Sequence, residues 1–285
     1  MNIDGMNVLF LTLDSCRFDT FLEARTPTFD KLGKVRRAGT HGTYTLPAHM
    51  SFFMGYLPSV NEPPYEQFYT PEVRQLWRLA SGRPRPLDTV GLTIQAPTVP
   101  EEYARKGYKV IGSGGVRWFR HETLRHPFGD FRYYGETDSV FHPRKACEFP
   151  LAHSKDLAEA VQGERFFLFI NCPETHVPYD YDGNSCSSRV WNVIDKYQGI
   201  WGCKASASQR MIVDRDEFAV LKRAQIAAVE SVDRKVGALI ADLPRPIFVV
   251  VAGDHGECFG EDDLWGHGFP HQKVTEVPLL MGLLR

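Results

Sequence analysis

Asp254 and His255, two side chains that bind divalent cations, stand next to each other where an apolar run ends, in P-I-F-V-V-V-A-G-D-H-G-E, Pro246–Glu257. Ile247 to Val251 is β-branched and apolar, the pattern of a buried strand, and the exit of such a strand is where open α/β sheets place their sites. A carboxylate oxygen and an imidazole suit Zn or Mn, with Mg or Ca as harder alternatives. Gly253 and Gly256 free the backbone to turn both side chains onto one centre. His267 follows in a second glycine-flanked turn, W-G-H-G. The plainer alternative is a polar strand exit followed by a solvated loop of acids.

Asn7–Asp14, N-V-L-F-L-T-L-D, repeats the arrangement: a continuous apolar run closed by an acid. It reads as a central strand delivering Asp14 to the carboxyl edge of a sheet, or, equally, as a strand followed by a helix that Asp14 caps. Arg17 lies just past the same exit. In Thr43–Gly55, T-Y-T-L-P-A-H-M-S-F-F-M-G, the spacing predicts a helix starting near Thr45 and stopped by Gly55. Free N–H groups and the positive end of the helix dipole there favour an anion, either a Thr45 alkoxide or a phosphate or sulfate group beside it. The commoner use of such a threonine is a simple N-cap. His49, one turn along, either faces the same site or packs. Phe166–Asn171, F-F-L-F-I-N, predicts a third buried strand, with Asn171 at its end. It runs into C-P-E-T-H-V-P-Y, where Pro178 keeps the chain extended or turning, so His176 belongs on a loop, as a site residue or a solvated one. Arg17, His49 and Asn171 are the residues expected to contact substrate.

Several elements must hold these strand exits in place. Pro100–Lys106 followed by G-Y-K-V-I-G-S-G-G reads as helix, glycine stop and strand, the alternating unit of a parallel sheet. Ser154–Gly163 reads as helical, and Arg215–Leu243 as a long amphipathic helix covering one sheet face, with Val232 and Ile240 in the core. Val277–Leu284 is the last strand. Thr26–Gly39, with Pro27 near its start, predicts a short surface helix. Pro58–Pro86 predicts loop and short helix over the core, and Gly183–Gln209 an irregular excursion. His121, His126, His142 and His153 lack metal-like spacing and read as surface or packing residues. The fold class that results is α/β, a mostly parallel central sheet sandwiched by helices.

Bulk properties narrow the functions. With 285 residues, 43% hydrophobic and 24% charged, the chain can bury one large core, and residues 1–285 read as a single domain with variable insertions around 58–165 and 180–210. A net charge of -2 without a basic stripe argues against nucleic acid or an anionic membrane as partner. No apolar window reaches the length of a membrane span. Six cysteines without a C-x-x-C pair form neither a zinc knuckle nor a dense disulfide framework, so reduced thiols in a cytoplasm are the expectation.

Taken in order, N-V-L-F-L-T-L-D, T-L-P-A-H, H-V-P-Y, D-H-G-E, W-G-H-G and E-V-P-L-L resemble the sulfatase branch of the alkaline phosphatase superfamily. The resemblance runs from about residue 7 to the C-terminus and is weak through residues 58–165. It implies that Asp14, Asp254 and His255 bind a catalytic divalent metal, that Thr45 is the metal-bound nucleophile, and that His176 and His267 hold a second metal or the substrate anion. Two departures qualify it. Sulfatases carry Cys or Ser in a C/S-x-P-x-R motif that becomes formylglycine, whereas this chain has Thr45-Leu46-Pro47-Ala48-His49. Thr cannot form that aldehyde, and Thr nucleophiles are typical of the phosphodiesterase, phosphomutase and phosphoethanolamine-transferase relatives. Two-metal relatives also place an Asp shortly before the His176 position, where Asn171 and Cys172 stand here; either Glu174 substitutes or one metal suffices. The function expected is a phosphatase or phosphodiesterase acting on a small phosphate ester. The alternatives are a sulfatase-like hydrolase or phosphotransferase, and a catalytically silent ligand-binding relative.

Overall fold

A computed structural model describes residues 5–55, 77–79, 92–94, 97–135, 149–179, 188–200 and 214–285. The strands, in chain order, are β1 (Asn7–Leu13), β2 (Arg36–Gly39), β3 (Trp77–Leu79), β4 (Leu92–Ile94), β5 (Lys109–Gly114), β6 (Asp130–Tyr133), β7 (Phe166–Cys172), β8 (Ile247–Gly253), β9 (Cys258–Phe259), β10 (Trp265–Gly266) and β11 (Glu276–Leu284). The α-helices are α1 (Phe18–Glu23), α2 (Thr45–Met54), α3 (Val99–Arg105), α4 (Glu122–Arg125), α5 (Ser154–Glu159), α6 (Ser188–Tyr197), α7 (Arg215–Asp242) and α8 (Gln272–Thr275).

The main sheet has seven strands in the order β2-β11-β8-β1-β7-β5-β6, so the first strand of the chain lies at its centre. From β8 through β1, β7 and β5 to β6 every pairing is parallel, while β11 and β2 close one side antiparallel. Both faces of the central strands are buried, which is why their sequences are continuously apolar. Leu9, Leu11 and Leu13 of β1 join Leu168 and Ile170 of β7 and Val249 and Val251 of β8 under α7, which contributes Val229, Val232, Val236, Leu239 and Ile240. Val8 of β1 and Phe167 and Phe169 of β7 face the other way, against Leu46, Met50 and Phe53 of α2 and an aromatic cluster with Phe119 and Phe128. This period of two sorts the strand-exit residues between the faces.

Three local expectations fail. Thr26–Gly39 is not a helix: Phe29–Leu32 makes a single 3-10 turn, Gly33 ends it at a φ of 116°, and β2 then pairs with β11. Phe29 and Leu32 insert into the core, and R-R-A-G has no apolar pattern to announce an edge strand. Within Gly183–Gln209, Ser188–Tyr197 is a helix rather than an excursion, with Val190, Val193, Ile194 and Tyr197 buried at helical spacing; the rest, apart from 198–200, lies outside the described residues. Of Pro58–Pro86 only 77–79 is described, and it is a strand paired antiparallel with β4; His142 also lies outside the described residues. The stretch 58–165 supplies β5 and β6 to the main sheet. Among the described residues no helix is long and apolar enough to cross a membrane.

Candidate active site

The register of β1 with its neighbours assembles the site. Leu13 pairs with Gly253 on β8 and with Cys172 on β7, so the next row holds Asp14 beside Asp254. Backbone bonds continue that row, with the Asp254 N–H on the Leu13 carbonyl at 3.4 Å and the Asp14 N–H on the Cys172 carbonyl at 3.1 Å. Asp14 is thus a strand-exit residue; α1 begins only at Phe18 with Arg17 at its N-cap, so Asp14 caps nothing. His255 follows in a turn that crosses α8 at very close range: a Cβ on Gly256 would lie 2.1 Å from the Lys273 carbonyl oxygen, so only glycine fits.

Asp14, Asp254 and His255 are each 0% exposed, and one ligand atom from each lies within 4.8 Å of the others. Asp14 Oδ1, Asp254 Oδ2 and His255 Nε2 are buried without a hydrogen-bond partner. Their other atoms are anchored. Asp254 Oδ1 accepts from the N–H groups of Ser15 at 3.0 Å and His255 at 2.8 Å, and Asp14 Oδ2 accepts from Asn171 Nδ2 at 3.1 Å. His255 Nδ1 lies 2.9 Å from the Gly256 carbonyl, to which it can only donate, so Nε2 carries the lone pair. Nε2 sits 3.8 Å from Asp14 Oδ1 and 3.7 Å from Asp254 Oδ2. Burial, and then the charge of Asp14, push the Asp254 carboxyl well above the ordinary carboxylate range, while burial and then His267 push His255 well below the usual imidazole value. A neutral imidazole facing two crowded carboxylates fits a divalent cation, which would satisfy all three orphaned atoms at once.

Thr45 borders this centre. It is the first residue of α2 rather than its cap; Tyr44 holds the N-cap position without a side-chain cap. Its hydroxyl donates to Asp14 Oδ2 at 3.5 Å. The chain before the helix is pressed against its first turn, since a Cβ on Gly42 would lie 2.4 Å from Ala48 N. Thr45 therefore combines a helix N-terminus with a neighbouring candidate cation site, the two features that would stabilise an alkoxide or a phosphoryl anion.

His176 and His267 approach from separate loops. Their ring centroids are 5.2 Å apart, and the His267 ring is 4.4 Å from that of His255. His176 Nδ1 donates to the Val177 carbonyl at 2.5 Å, and His267 Nδ1 meets Glu257 Oε1 at 3.1 Å. Three residues expected at the substrate are committed elsewhere. Arg17 is 2% exposed, bonded to Asp19, ion-paired with Glu261 at 2.7 Å and laid over the Phe259 ring at 4.6 Å. Asn171 holds Asp14 and Thr12. His49 is 0% exposed; Nδ1 donates to the Thr45 carbonyl at 2.8 Å, Nε2 accepts from Thr12 Oγ1 at 2.9 Å, and burial lowers its pKa to about 4. Their side-chain nitrogens are taken up by protein partners, so these side chains brace the residues around the site. Glu174, the substitute second-metal ligand, is buried 3.6 Å from Lys235 of α7. Among the described residues the Asp14, Asp254 and His255 group is the only candidate cluster.

Glu257 and Tyr179 belong to the site although sequence reasoning assigned them no role. Glu257 is 0% exposed, and burial raises its pKa to about 7 against the pull of His176, Tyr179 and Arg17. Tyr179 is also 0% exposed and donates from its hydroxyl to Glu257 Oε2 at 3.1 Å. Both stand inside the islands D-H-G-E and H-V-P-Y, and that position was the available signal.

The family model described as Sulfatase matches residues 7–282. No curated protein matches the sequence. Among solved structures, a 2-O GAG sulfatase is 14% identical with a TM-score of 0.61, the match covering 97% of this chain and 64% of that one. The integral membrane protein lipooligosaccharide phosphoethanolamine transferase A (EptA) from Neisseria meningitidis is 15% identical with a TM-score of 0.57, covering 100% and 49%. The C-terminal periplasmic domain of EptC from Escherichia coli, in complex with Zn, is 14% identical with a TM-score of 0.56, covering 98% and 72%. At such identities the likeness concerns the fold. The chain spans 64% of the length of the GAG sulfatase and about half of EptA.

Proposed function

The chain belongs to the sulfatase family of the alkaline phosphatase superfamily, and from that premise we propose that it is a metal-dependent phosphoryl-transfer enzyme, a phosphatase or phosphodiesterase that attacks a small phosphate ester with Thr45. The observation that supports this most is the convergence of three orphaned, buried donor atoms, Asp14 Oδ1, Asp254 Oδ2 and His255 Nε2, beside the Thr45 hydroxyl. These residues would hold one divalent cation, with Zn or Mn best suited to the mixed carboxylate and imidazole set. When bound, the cation supplies a lowered hydroxyl pKa and charge neutralisation at the phosphoryl oxygens.

The remaining steps fall to the protein's own groups. Thr45 Oγ1 attacks phosphorus, forming a phosphothreonine bond as the bond to the leaving alcohol breaks, and the N–H groups of the first turn of α2 face the charge on the transferring group. One of His176 and His267 takes the Thr45 proton at Nε2 and delivers it to the leaving oxygen, and the imidazolium formed in between faces the non-bridging oxygens. Water then attacks the phosphothreonine, returning the hydroxyl and releasing phosphate. An acceptor alcohol in place of water would make the enzyme a transferase, a second reading favoured by the likeness to the two phosphoethanolamine transferases.

Phosphorus rather than sulfur is the preferred centre because Thr45 has no route to the aldehyde hydrate by which sulfatases expel sulfate. The test is a pair of esters of one phenol, phosphate and sulfate, assayed with the wild type and Thr45→Ala. Turnover of the phosphate well above the sulfate is expected, with complete loss in Thr45→Ala while fold and metal content persist. Preference for the sulfate, or full activity without Thr45, would overturn the assignment.

A further inference from the structure

We propose that Glu257 is a positioning residue that fixes the tautomer and orientation of His267 and ties the His267 loop to the His176 loop through Tyr179. The inference rests on the reading of His267 as a substrate-facing group. A fully buried carboxylate is costly unless its oxygens are met, and Glu257 meets two partners, both of them loop residues of the candidate site. Oε1 is 3.1 Å from His267 Nδ1, and Oε2 accepts from the Tyr179 hydroxyl at 3.1 Å. Tyr179 is in turn bound to the other loop, its N–H donating to the His176 carbonyl at 2.7 Å.

The backbone that carries the carboxylate is held from behind. The Glu257 carbonyl accepts from Arg17 Nη1 at 3.2 Å, and Arg17 is locked by Asp19 and Glu261, with Asp19 also bonded to Lys273 of α8 at 2.8 Å. The main chain at Glu257 is thereby fixed, and the side chain is positioned by His267 and Tyr179. A carboxylate accepting from Nδ1–H leaves the Nε2 lone pair facing the site, where it takes up a proton and passes it to an ester oxygen; the Gly256 carbonyl sets the tautomer of His255 in the same way. The neutral imidazole free in water exchanges between tautomers, so the partner on Nδ1 decides which is present.

Imidazole nitrogen NMR on the full chain, metal-free and loaded with Zn, reads the tautomer without any assay of turnover. The wild type should show His267 protonated at Nδ1, and Glu257→Ala should shift it toward the Nε2-protonated form. With p-nitrophenyl phosphate, kcat in Glu257→Ala should fall about 10- to 100-fold while KM and bound Zn stay unchanged. Glu257→Gln, whose amide oxygen still accepts from Nδ1–H, should recover most of that loss. Because Glu257 acts through His267, the double variant Glu257→Ala/His267→Ala should be no slower than His267→Ala alone. If Glu257→Ala does not fold, Glu257→Asp replaces it: the shortened carboxylate should weaken the Nδ1 signal and lower kcat, and an unchanged Asp variant overturns the proposal. An unaltered His267 tautomer in Glu257→Ala, or penalties that multiply in the double variant, also overturns it. Full activity in His267→Ala would defeat the proposed role of that histidine and the catalytic half of this inference, while the NMR signal decides the positioning half by itself.

Discussion

Asp233 and Asp254 are both 0% exposed carboxylates, and the protein completes them differently. Asp233, on α7, accepts from the N–H groups of Phe29 at 2.8 Å and Thr28 at 3.1 Å, with Thr28 reaching both carboxylate oxygens; it fastens the turn before the Phe29–Leu32 helix to the helical layer. Asp254 spends one oxygen on two N–H groups and leaves the other unpartnered, as Asp14 does beside it. Both are removed from water, and of the two only Asp254, at the strand ends, is left with an oxygen that the polypeptide does not meet. The contrast separates a carboxylate that holds the fold together from a pair that keeps an oxygen each for the proposed cation.

The harshest way to break this comparison is Asp254→Asn. The amide keeps the oxygen that accepts from Ser15 and His255, but it removes a charge and presents N–H groups to Asp14 and His255. Bound metal and phosphate-ester turnover should both be lost, the latter by at least about a thousandfold, because too few anionic donors remain. The urea midpoint of the metal-free variant should not fall below that of the metal-free wild type, since one of two crowded carboxylates is gone. Stoichiometric metal in Asp254→Asn would place the cation elsewhere.

Asp233→Ala should do the opposite. Two N–H groups lose their acceptor, so stability should drop by about 3 kcal/mol in urea titration, while metal content and turnover at a permissive temperature stay at wild-type levels. Loss of metal there would erase the distinction between the two regions.

His49 sharpens the comparison at lower amplitude, being a buried polar group with both nitrogens matched yet only 3.7 Å from Asp254 Oδ2. Its folded pKa, lowered to about 4 by burial, lies beneath the ordinary unfolded value, so the folded state resists the proton that the unfolded chain takes up. The stability this contributes is present above the unfolded pKa and is lost as pH falls toward the folded one. Metal-free wild type should lose about 2 kcal/mol from this group between about pH 7 and pH 4.5. His49→Gln should flatten that part of the curve; an unchanged slope would show that His49 is charged in the fold.

The placement of the candidate ligands was legible because each apolar run ends abruptly in a ligand-capable residue, so predicting β1 and β8 also placed Asp14 and Asp254 at the sheet edge. His255 followed from adjacency. What sequence could not supply was direction. Arg17, Asn171 and His49 all sit at the right strand ends or helix turn, but their side chains turn back into the protein, a choice made by Glu261, Asp14 and Thr12, residues distant in the chain. Glu257 was hidden for the converse reason, since glutamate after a glycine turn reads as solvated until Tyr179 and His267 are seen to close over it. The helix Ser188–Tyr197 was obscured by a serine- and tryptophan-containing neighbourhood, although Val190, Val193, Ile194 and Tyr197 carry its period.

The pairing that brings Asp14 beside Asp254 also sets when the site can exist. Ser15 and Asp254 touch across 239 positions of chain, and β8 must insert between β1 and β11 before the two carboxylates share a row. A nascent or opened chain therefore lacks the assembled donor set, and a cation held as proposed would bind almost solely to the finished sheet. Under mass action such a cation would select the folded population, adding about 2.7 kcal/mol at a hundredfold excess over Kd. Cellular metal supply would thus govern how long the protein survives as well as how fast it turns over, and a chelator would act on abundance before any inhibitor acted on rate.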